Sequence, residues 1–403
     1  MKYIVLLGDG MSDNPLADHA GKTPLQLANT PLMDRLAQKG EVGLSKTIAD
    51  GMDSGSDVAN MTVMGYDPDK YYTGRSPIEA ISIGVPLSDT DIAFRCNLVT
   101  LEEKDGSQYM NDYSAGHIST DDASIVIHAL KEKLDSEDIK FYPGVSYRHL
   151  MVWKNGKDKM KTTPPHDISD KKIEGHLPSG EGSSKILDLM EKSREILPEL
   201  EINKQKMDKG EKPVSSIWLW GQGKKLEIPS FHSKYGISGS VISAVDLLKG
   251  LGISAGLNSI DVVGATGYLD TNYQGKVDAA LNALERDDFV YLHVEAPDEA
   301  SHKGSFDEKI QAIEDFDAKI VSKIIAGLEE KFDDYKVMVL PDHPTPLATK
   351  THASDPVPYI IYSSKDREKT AYENIGYTEK DAVASGFFIE KGFELMDRFI
   401  NKN

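Results

Sequence analysis

Three aspartates and three histidines stand just beyond apolar runs of the chain. Asp9 follows Tyr3-Ile4-Val5-Leu6-Leu7. Asp298 and His302 follow Phe289-Val290-Tyr291-Leu292-His293-Val294. Asp342 and His343 follow Lys336-Val337-Met338-Val339-Leu340, and His352 comes nine residues later. Carboxylate oxygen and imidazole nitrogen are the donors that hold a pair of Mn²⁺, Zn²⁺ or Mg²⁺ ions. In an open α/β sheet, ligands collect beyond the carboxyl ends of the strands. If the apolar runs are strands of one such sheet, residues from both ends of the chain meet at one edge.

Spacing adds detail. Asp298-x-x-x-His302 puts two side chains on one helix face, although a surface pair after Pro297 has the same pattern. Asp342 and His343 are neighbours, and on extended chain they point apart. Pro344 and Pro346 supply the turn that would bring them together. His352, in the turn-like Thr351-His352-Ala353-Ser354-Asp355-Pro356, reads equally as a ligand or a surface histidine. Ser56 stands where the loop Gly51-Met52-Asp53-Ser54-Gly55 enters a helix. Free N–H groups and the helix dipole favour an anion there. A serine attacks at neutral pH only if a base or a metal activates it. A metal held by Asp9, Asp342 and His343 would do so. Ser54 or Ser56 serves equally as a plain N-cap. Arg75, Arg95, Arg148 and Lys234 lie near turns or strand ends and could meet a phosphate or carboxylate. Each taken singly also reads as a solvated surface charge. Gly8-Asp9-Gly10 lacks the third glycine and later acid of a dinucleotide fingerprint.

The elements that must position these residues are legible in part. Tyr3–Leu7, Phe289–Val294 and Lys336–Leu340 read as strands. Thr30 as N-cap, Pro31 at N1 and Gly40 at the end bound a helix over Pro31–Lys39. A second helix spans Ser56 to Gly65. From about residue 85 to 225 the pattern changes. Strand-like runs (Ile92–Thr100, Tyr147–Trp153, Ser215–Trp220) mix with helical ones (Asp121–Leu134, Lys185–Leu197) and a long polar loop, Lys161–Gly182. Trp218 and Trp220 alternate with Leu219, so one face of that strand is core. Beyond it, helices are expected over Ser240–Lys249, Tyr273–Leu284 and Phe387–Ile400. A long amphipathic helix is expected over Asp307–Leu328, with Ile310, Ile313, Phe316, Ile320 and Ile324 on one face. The simplest account is an α/β domain built from both termini, residues 1–75 and 230–403, interrupted by an inserted domain over 76–229.

Composition narrows the class. The 403 residues are 39% hydrophobic and 28% charged, as in a soluble globular protein. No apolar run reaches the roughly 18 residues of a membrane span, and the N-terminal run is too short for a signal peptide. One cysteine, Cys96, excludes an intrachain disulfide and a Cys-based zinc site. Together these lead to the expectation of a cytoplasmic protein. With 46 basic and 65 acidic residues the net charge is −19, which disfavours nucleic acid. No membrane partner is expected either, and the oligomeric state is left open. A small anionic substrate would need a local cluster of basic and metal charge.

Taken together, the motifs resemble the alkaline phosphatase superfamily, and within it the archaeal-type, cofactor-independent phosphoglycerate mutases. They are Leu7-Gly8-Asp9-Gly10, Gly55-Ser56-Asp57-Val58-Ala59-Asn60, Gly65-Tyr66-Asp67-Pro68 and Gly264-Ala265-Thr266-Gly267. The last three are Glu295-Ala296-Pro297-Asp298-Glu299-Ala300-Ser301-His302, Pro341-Asp342-His343-Pro344-Thr345-Pro346 and Thr351-His352-Ala353-Ser354-Asp355-Pro356-Val357-Pro358. The resemblance covers essentially the whole chain. It implies an alkaline-phosphatase-like α/β core sheet flanked by helices, with a smaller inserted α/β (α+β) domain. It also implies an isomerase that interconverts 3-phosphoglycerate and 2-phosphoglycerate through a phosphoserine, without 2,3-bisphosphoglycerate. Two divalent ions are expected, Mn²⁺ first, with Zn²⁺, Co²⁺ or Mg²⁺ as alternatives. Asp298, His302 and His352 match the ligands of one ion. Asp9, Asp342 and His343 match those of the other, with Ser56 bound to it as the nucleophile. Ser56 rather than Ser54 is matched because Ser-Asp-Val-Ala-Asn aligns with the family's Ser-Glu-Val-Gly-His. Lys234-Tyr235 resembles the family's Lys-Tyr pair, whose lysine contacts the phosphoryl group. Arg148 is the candidate substrate contact in the insert. Gly221-Gln222-Gly223-Lys224 stands where better-known members carry two arginines, and Asp112-Tyr113-Ser114-Ala115-Gly116-His117 departs from a more arginine-rich form. The mutase reading also implies a two-domain clamp with hinges near residues 75 and 230. Alternatives are a related phosphotransferase or phosphatase acting on another phosphorylated small molecule, and a non-catalytic metal-binding scaffold.

Overall fold

A computed structural model describes residues 1–372 and 375–401. The chain forms two compact units, Met1–Tyr72 with Glu227–Asn403, and Thr73–Leu226. In the first unit the apolar runs are strands covered on both faces. Ile4 to Leu7 are wholly buried, and every residue of Phe289–Val294 and Tyr335–Leu340 is buried. Unbroken apolar sequence, rather than alternation, is what a doubly covered strand requires. The eight-stranded sheet runs in the order Asn258–Ile260, Gly239–Ile242, Phe289–Val294, Lys2–Gly8, Tyr335–Leu340, Val357–Ser363, Glu41–Ser45 and Phe388–Ile389. The first five are parallel, and Val357–Ser363 is antiparallel to both its neighbours. Gly8 pairs with Val294, and Leu7 with Leu340. The three central strands therefore end level, and their following loops leave from one edge.

Helices close the faces. Met33 and Leu36 of Pro31–Lys39, Val277 and Leu284 of Tyr273–Leu284, and Ile313, Phe316, Ile320 and Ile324 farther on join one buried cluster with the strands. The expected long helix over Asp307–Leu328 is interrupted. An α-helix over Phe306–Asp315 passes through a π-helical segment, Phe316–Val321, into Ser322–Lys331. Single π-turns within helices often reposition a side chain. In the π-segment, Asp317 accepts from the backbone N–H of Met33 (2.7 Å) and of Leu32 (3.2 Å). It thus caps helix Pro31–Lys39 from outside, while Thr30 makes no side-chain cap bond.

Two expected helices are corrected. Within Ser240–Lys249, a strand Gly239–Ile242 comes first and the helix is Asp246–Ser254. Val241 and Ile242 are paired with Tyr291 and Leu292, and a Cβ on Gly239 would lie 2.8 Å from the Phe289 ring. Sheet pairing outweighs local helical propensity here. Within Phe387–Ile400, Phe388–Ile389 is an edge strand beside Glu41–Ser45, and the helix is Glu394–Asn401. Among the described residues, no helix is long and apolar enough to cross a membrane.

The second unit has its own sheet and core. Ile92–Lys104 pairs antiparallel with Ser107–Asp112, Arg148–Trp153 and Ser216–Lys224, and Ile139–Tyr142 pairs with Arg148–Trp153. Phe94, Leu130, Met151, Leu189 and Trp218 pack together. Trp218, Leu219 and Trp220 are all buried, so both faces of that strand are covered rather than one. Cys96 is buried here, and burial pushes its thiol well up.

The burial pattern yields a stability test. Leu292→Ala, at a fully buried position in the central sheet, is expected to cost about 2–5 kcal/mol. Val383→Ala, 64% exposed, should stay within about 0.5 kcal/mol of wild type. Urea unfolding of both variants checks the contrast. Equal midpoints would contradict the assignment of Leu292 to the core.

Candidate metal centre and nucleophile

The loops after the three level strands converge. Asp9 leaves Lys2–Gly8 and is fully buried. Gly10 follows in the left-handed region (φ 62°), and a Cβ there would fall 2.6 Å from Asp298 Oδ1. Glycine therefore permits the close approach of this loop to the next. Asp298 and His302 lie on helix Ala296–Lys303, with Pro297 in its first turn. Their spacing does what it predicts: His302 Nε2 is 3.0 Å from Asp298 Oδ2. After Tyr335–Leu340, Asp342 and His343 turn toward one point, with His343 Nε2 3.4 Å from Asp342 Oδ2. Lys309 steadies that turn from below. It is wholly buried, pairs with Asp13 at 2.8 Å and donates to the carbonyls of Thr345 (2.9 Å) and Ser12 (3.3 Å).

Two triplets result. In one, His302 Nε2 lies 3.0 Å from His352 Nε2, and His352 Nε2 lies 3.6 Å from Asp298 Oδ1. In the other, His343 Nε2 lies 3.6 Å from Asp9 Oδ1 and 3.4 Å from Asp342 Oδ2. The triplets adjoin, with the His343 and His352 rings 4.0 Å apart between centroids. Ligand atoms of Asp9, Asp342 and His343 fall within 4.8 Å of one another, as do those of Asp298, His343 and His352. Ser56 is the first residue of helix Ser56–Val63. Its N-cap is Gly55, which makes no side-chain bond. Neither Ser54 nor Ser56 caps this helix. The Ser56 hydroxyl lies 3.1 Å from His343 Nε2, and the Ser54 carbonyl meets His352 Nδ1 at 3.2 Å.

Electrostatics follow from burial and crowding. Burial first, then the charges of Asp342, Glu295 and Asp298, hold the Asp9 carboxyl well above the usual range. Burial and the Asp298 charge push Glu295 up to about 8. Burial opposes charge on His302, but its bond to Asp298 outweighs this and raises it to about 9. Burial lowers His343. Asp9 Oδ1 and Glu295 Oε2 are buried without a hydrogen-bond partner. Two imidazole nitrogens face each other beside a carboxylate. Such a donor set, with orphaned oxygens, fits divalent cations of the hard-to-borderline class.

Several participants were not singled out from sequence. His293, inside a buried strand, approaches Asp9 Oδ2 with Nε2 (2.8 Å) and Ser243 Oγ with Nδ1 (3.1 Å). Its Nε2 is 3.4 Å from Glu295 Oε2, and Asp9, His293 and Glu295 form a third close group. Lys276 is buried behind it, donates to the His293 carbonyl at 2.8 Å, and is lowered by burial to about 8. Asn60 donates to Asp342 Oδ2 and accepts from Tyr291. Thr345 Oγ1 donates to Asp298 Oδ1 at 2.5 Å. A histidine in an otherwise apolar strand and an asparagine in a buried helix were the available signals.

The basic candidates are placed separately. Lys234, on Phe231–Tyr235, donates to the Gly65 carbonyl and lies over the Tyr66 and Tyr235 rings (5.2 and 5.0 Å); burial lowers it. Arg75, Arg95 and Arg148 belong to the second unit. Glu79 takes Arg75 at 3.0 Å and Arg95 at 3.2 Å, and Arg95 stacks on Trp220 at 4.6 Å. Burial brings Arg95 down to about 10. Arg148 opens its strand, exposed, with its guanidinium over the Tyr147 ring at 5.5 Å.

Comparison with known proteins places this arrangement. Residues 37–203 match the family model described as 2,3-bisphosphoglycerate-independent phosphoglycerate mutase. A Geobacter sulfurreducens protein named probable 2,3-bisphosphoglycerate-independent phosphoglycerate mutase is 53% identical over 402 residues, covering 100% of each chain. The solved cofactor-independent phosphoglycerate mutase from Thermoplasma acidophilum is 25% identical, with a TM-score of 0.64, over 100% of this chain and 99% of that one. A solved Pyrococcus horikoshii protein superposes with a TM-score of 0.82 at 27% identity, over 99% of this chain and 96% of the other. The full-length identity to the first of these relatives makes this chain a member of the 2,3-bisphosphoglycerate-independent phosphoglycerate mutase family.

Proposed function

We propose that this protein interconverts 3-phosphoglycerate and 2-phosphoglycerate without 2,3-bisphosphoglycerate, through a phosphoserine on Ser56. The observation that carries the reading is the Ser56 hydroxyl, free of any capping role and 3.1 Å from His343 amid two Asp/His triplets. The family membership supplies the substrate. Asp298, His302 and His352 would hold one divalent ion, and Asp9, Asp342 and His343 the other. Bound there, Mn²⁺ or a similar ion supplies charge neutralisation for the attacking and departing oxygens.

In this reading, Ser56 Oγ forms a bond to phosphorus as the bond from phosphorus to the substrate oxygen breaks. The proton lost from Ser56 is balanced by the one gained on the glycerate oxygen. Reattachment to the other glycerate hydroxyl reverses the exchange. Water must stay out while the phosphoserine exists, or the outcome is hydrolysis. Arg148, at a strand start, is the proposed substrate contact, and Lys234 the proposed phosphoryl contact. A small phosphorylated acid is then the only partner the chemistry requires.

Purified protein given 3-phosphoglycerate should form 2-phosphoglycerate with no added bisphosphoglycerate. Release of phosphate alone would identify a phosphatase instead. Ser56→Ala should lose several orders of magnitude of turnover, the scale on which an essential nucleophile is lost. Ser54→Ala should fall far less. Acid quench and peptide mapping after brief exposure to labelled substrate should find the label on Ser56, and label elsewhere would refute the assignment.

Metal removal gives a second test. Chelation should abolish turnover and Mn²⁺ should restore it; full activity after stripping would sink the two-metal reading. His302, raised to about 9, is protonated at neutral pH in the metal-free protein. A ligand must lose that proton to bind. Mn²⁺ binding should therefore release protons at pH 7, and affinity should weaken as pH falls below about 9. Calorimetry in buffers of differing ionisation heat reads the release directly, and none at pH 7 would remove His302 from the ligand set.

A further inference from the structure

Asn60 is buried, polar and in the middle of the nucleophile's helix, where an apolar residue would pack as well. Both its amide hydrogens and its amide oxygen are engaged. Nδ2 donates to Asp342 Oδ2 at 2.8 Å and to the Ser56 carbonyl at 2.9 Å. Oδ1 accepts from the Tyr291 hydroxyl at 2.6 Å. Tyr291 is itself wholly buried on the central strand Phe289–Val294. The Ser56 carbonyl oxygen can only accept, so the Asn60 NH₂ must face it. That removes the usual ambiguity of an amide: with the NH₂ facing Ser56 and Asp342, Oδ1 is left facing the Tyr291 hydroxyl and accepts from it.

The consequence falls on Asp342. Its Oδ1 accepts from the Gly10 and His343 backbone N–H groups, at 3.2 and 2.9 Å. Its Oδ2 is set by Asn60. Both oxygens are thereby fixed, and the same amide ties that carboxylate to the first turn of the helix carrying Ser56. A ligand and a nucleophile from segments nearly 300 residues apart in sequence are linked through one side chain, which is anchored to a third segment by Tyr291.

We propose that Asn60 and Tyr291 act together as positioning residues that fix the Asp342 carboxylate relative to Ser56. This rests on the reading of Asp342 as a metal ligand. Partners that orient a ligating carboxylate typically contribute 10–100-fold to metal affinity. The two residues act in series, because Tyr291 reaches Asp342 only through the amide. Removing the phenol frees the amide to turn, and removing the amide makes the phenol irrelevant.

The experiment compares wild type, Asn60→Leu, Tyr291→Phe and the double variant as full chains. Mn²⁺ affinity is measured by calorimetry, and each site's occupancy by anomalous diffraction at limiting Mn²⁺. Asn60→Leu should weaken the ion beside Asp9, Asp342 and His343 by about 10–100-fold and leave the ion at Asp298, His302 and His352 in place. Tyr291→Phe should weaken the same ion by roughly three- to tenfold, the scale of one net hydrogen bond. The double variant should be no weaker than Asn60→Leu alone, since the effects are not additive. Tyr291→Phe removes only a hydroxyl, so it keeps the test open if Asn60→Leu fails to fold. A lower melting temperature with unchanged Mn²⁺ affinity would show a purely structural pair and overturn the proposal. Additive losses would overturn the serial linkage. Absence of Mn²⁺ from the wild-type cluster would instead remove the metal centre, and this proposal with it.

Discussion

Carboxylates crowded in a buried place are the constraint around which this molecule is organised. Asp9 is fully buried, and the charges of Asp342, Glu295 and Asp298 all act to disfavour its ionised form. Two unit charges at about 4 Å interact with roughly 4 kcal/mol at the effective dielectric of a protein near its surface. Burying several like charges is costly unless protons or cations neutralise them. Nearby, the chain neutralises a carboxylate with its own lysine: Asp13 pairs with Lys309, and both side chains are inaccessible. At the centre the partners are instead imidazoles, backbone N–H groups, a threonine and an amide. Two carboxylate oxygens there have no hydrogen-bond partner.

Holding such a cluster together demands a stiff frame. Three parallel strands with all central residues buried end in register, so the starting points of the Asp9, Asp298 and Asp342 loops are fixed by ladder hydrogen bonds. Each loop then turns by its own local means. Gly10 takes a conformation open to glycine, Pro297 starts a short helix, and the Asp342 loop is held through Thr345 by Lys309. Polar groups behind the centre are saturated in the same spirit. His293 spans from Ser243 to Asp9, and Asn60 from Tyr291 to Asp342. The second unit handles charge of the opposite sign. Glu79 is shared by Arg75 and Arg95, and a buried guanidinium stacked on Trp220 is kept ionised by that carboxylate.

What the amino-acid sequence determined by itself was the central strands and the polar residues that follow them. Long unbroken apolar runs have few foldings other than doubly covered strands, and Asp298-x-x-x-His302 encodes a shared helix face in its spacing. Tyr273–Leu284 and Phe289–Val294 have the bounds their patterns imply. Less legible was anything whose partner lies far away in the chain. The expected helix Ser240–Lys249 loses its first residues to the strand Gly239–Ile242, recruited by Phe289–Val294. Thr30 looks like the cap of its helix, yet Asp317 performs that task from a π-turn nearly 290 residues on. His293 and Asn60 stand out as polar residues in buried elements, but nothing local names Asp9, Asp342 or Tyr291 as their partners. Propensity and periodicity act over a few residues, so they specify elements. Hydrogen bonds and charges between separate segments depend on where the folded sheet sets those elements down, and only the tertiary structure decided that.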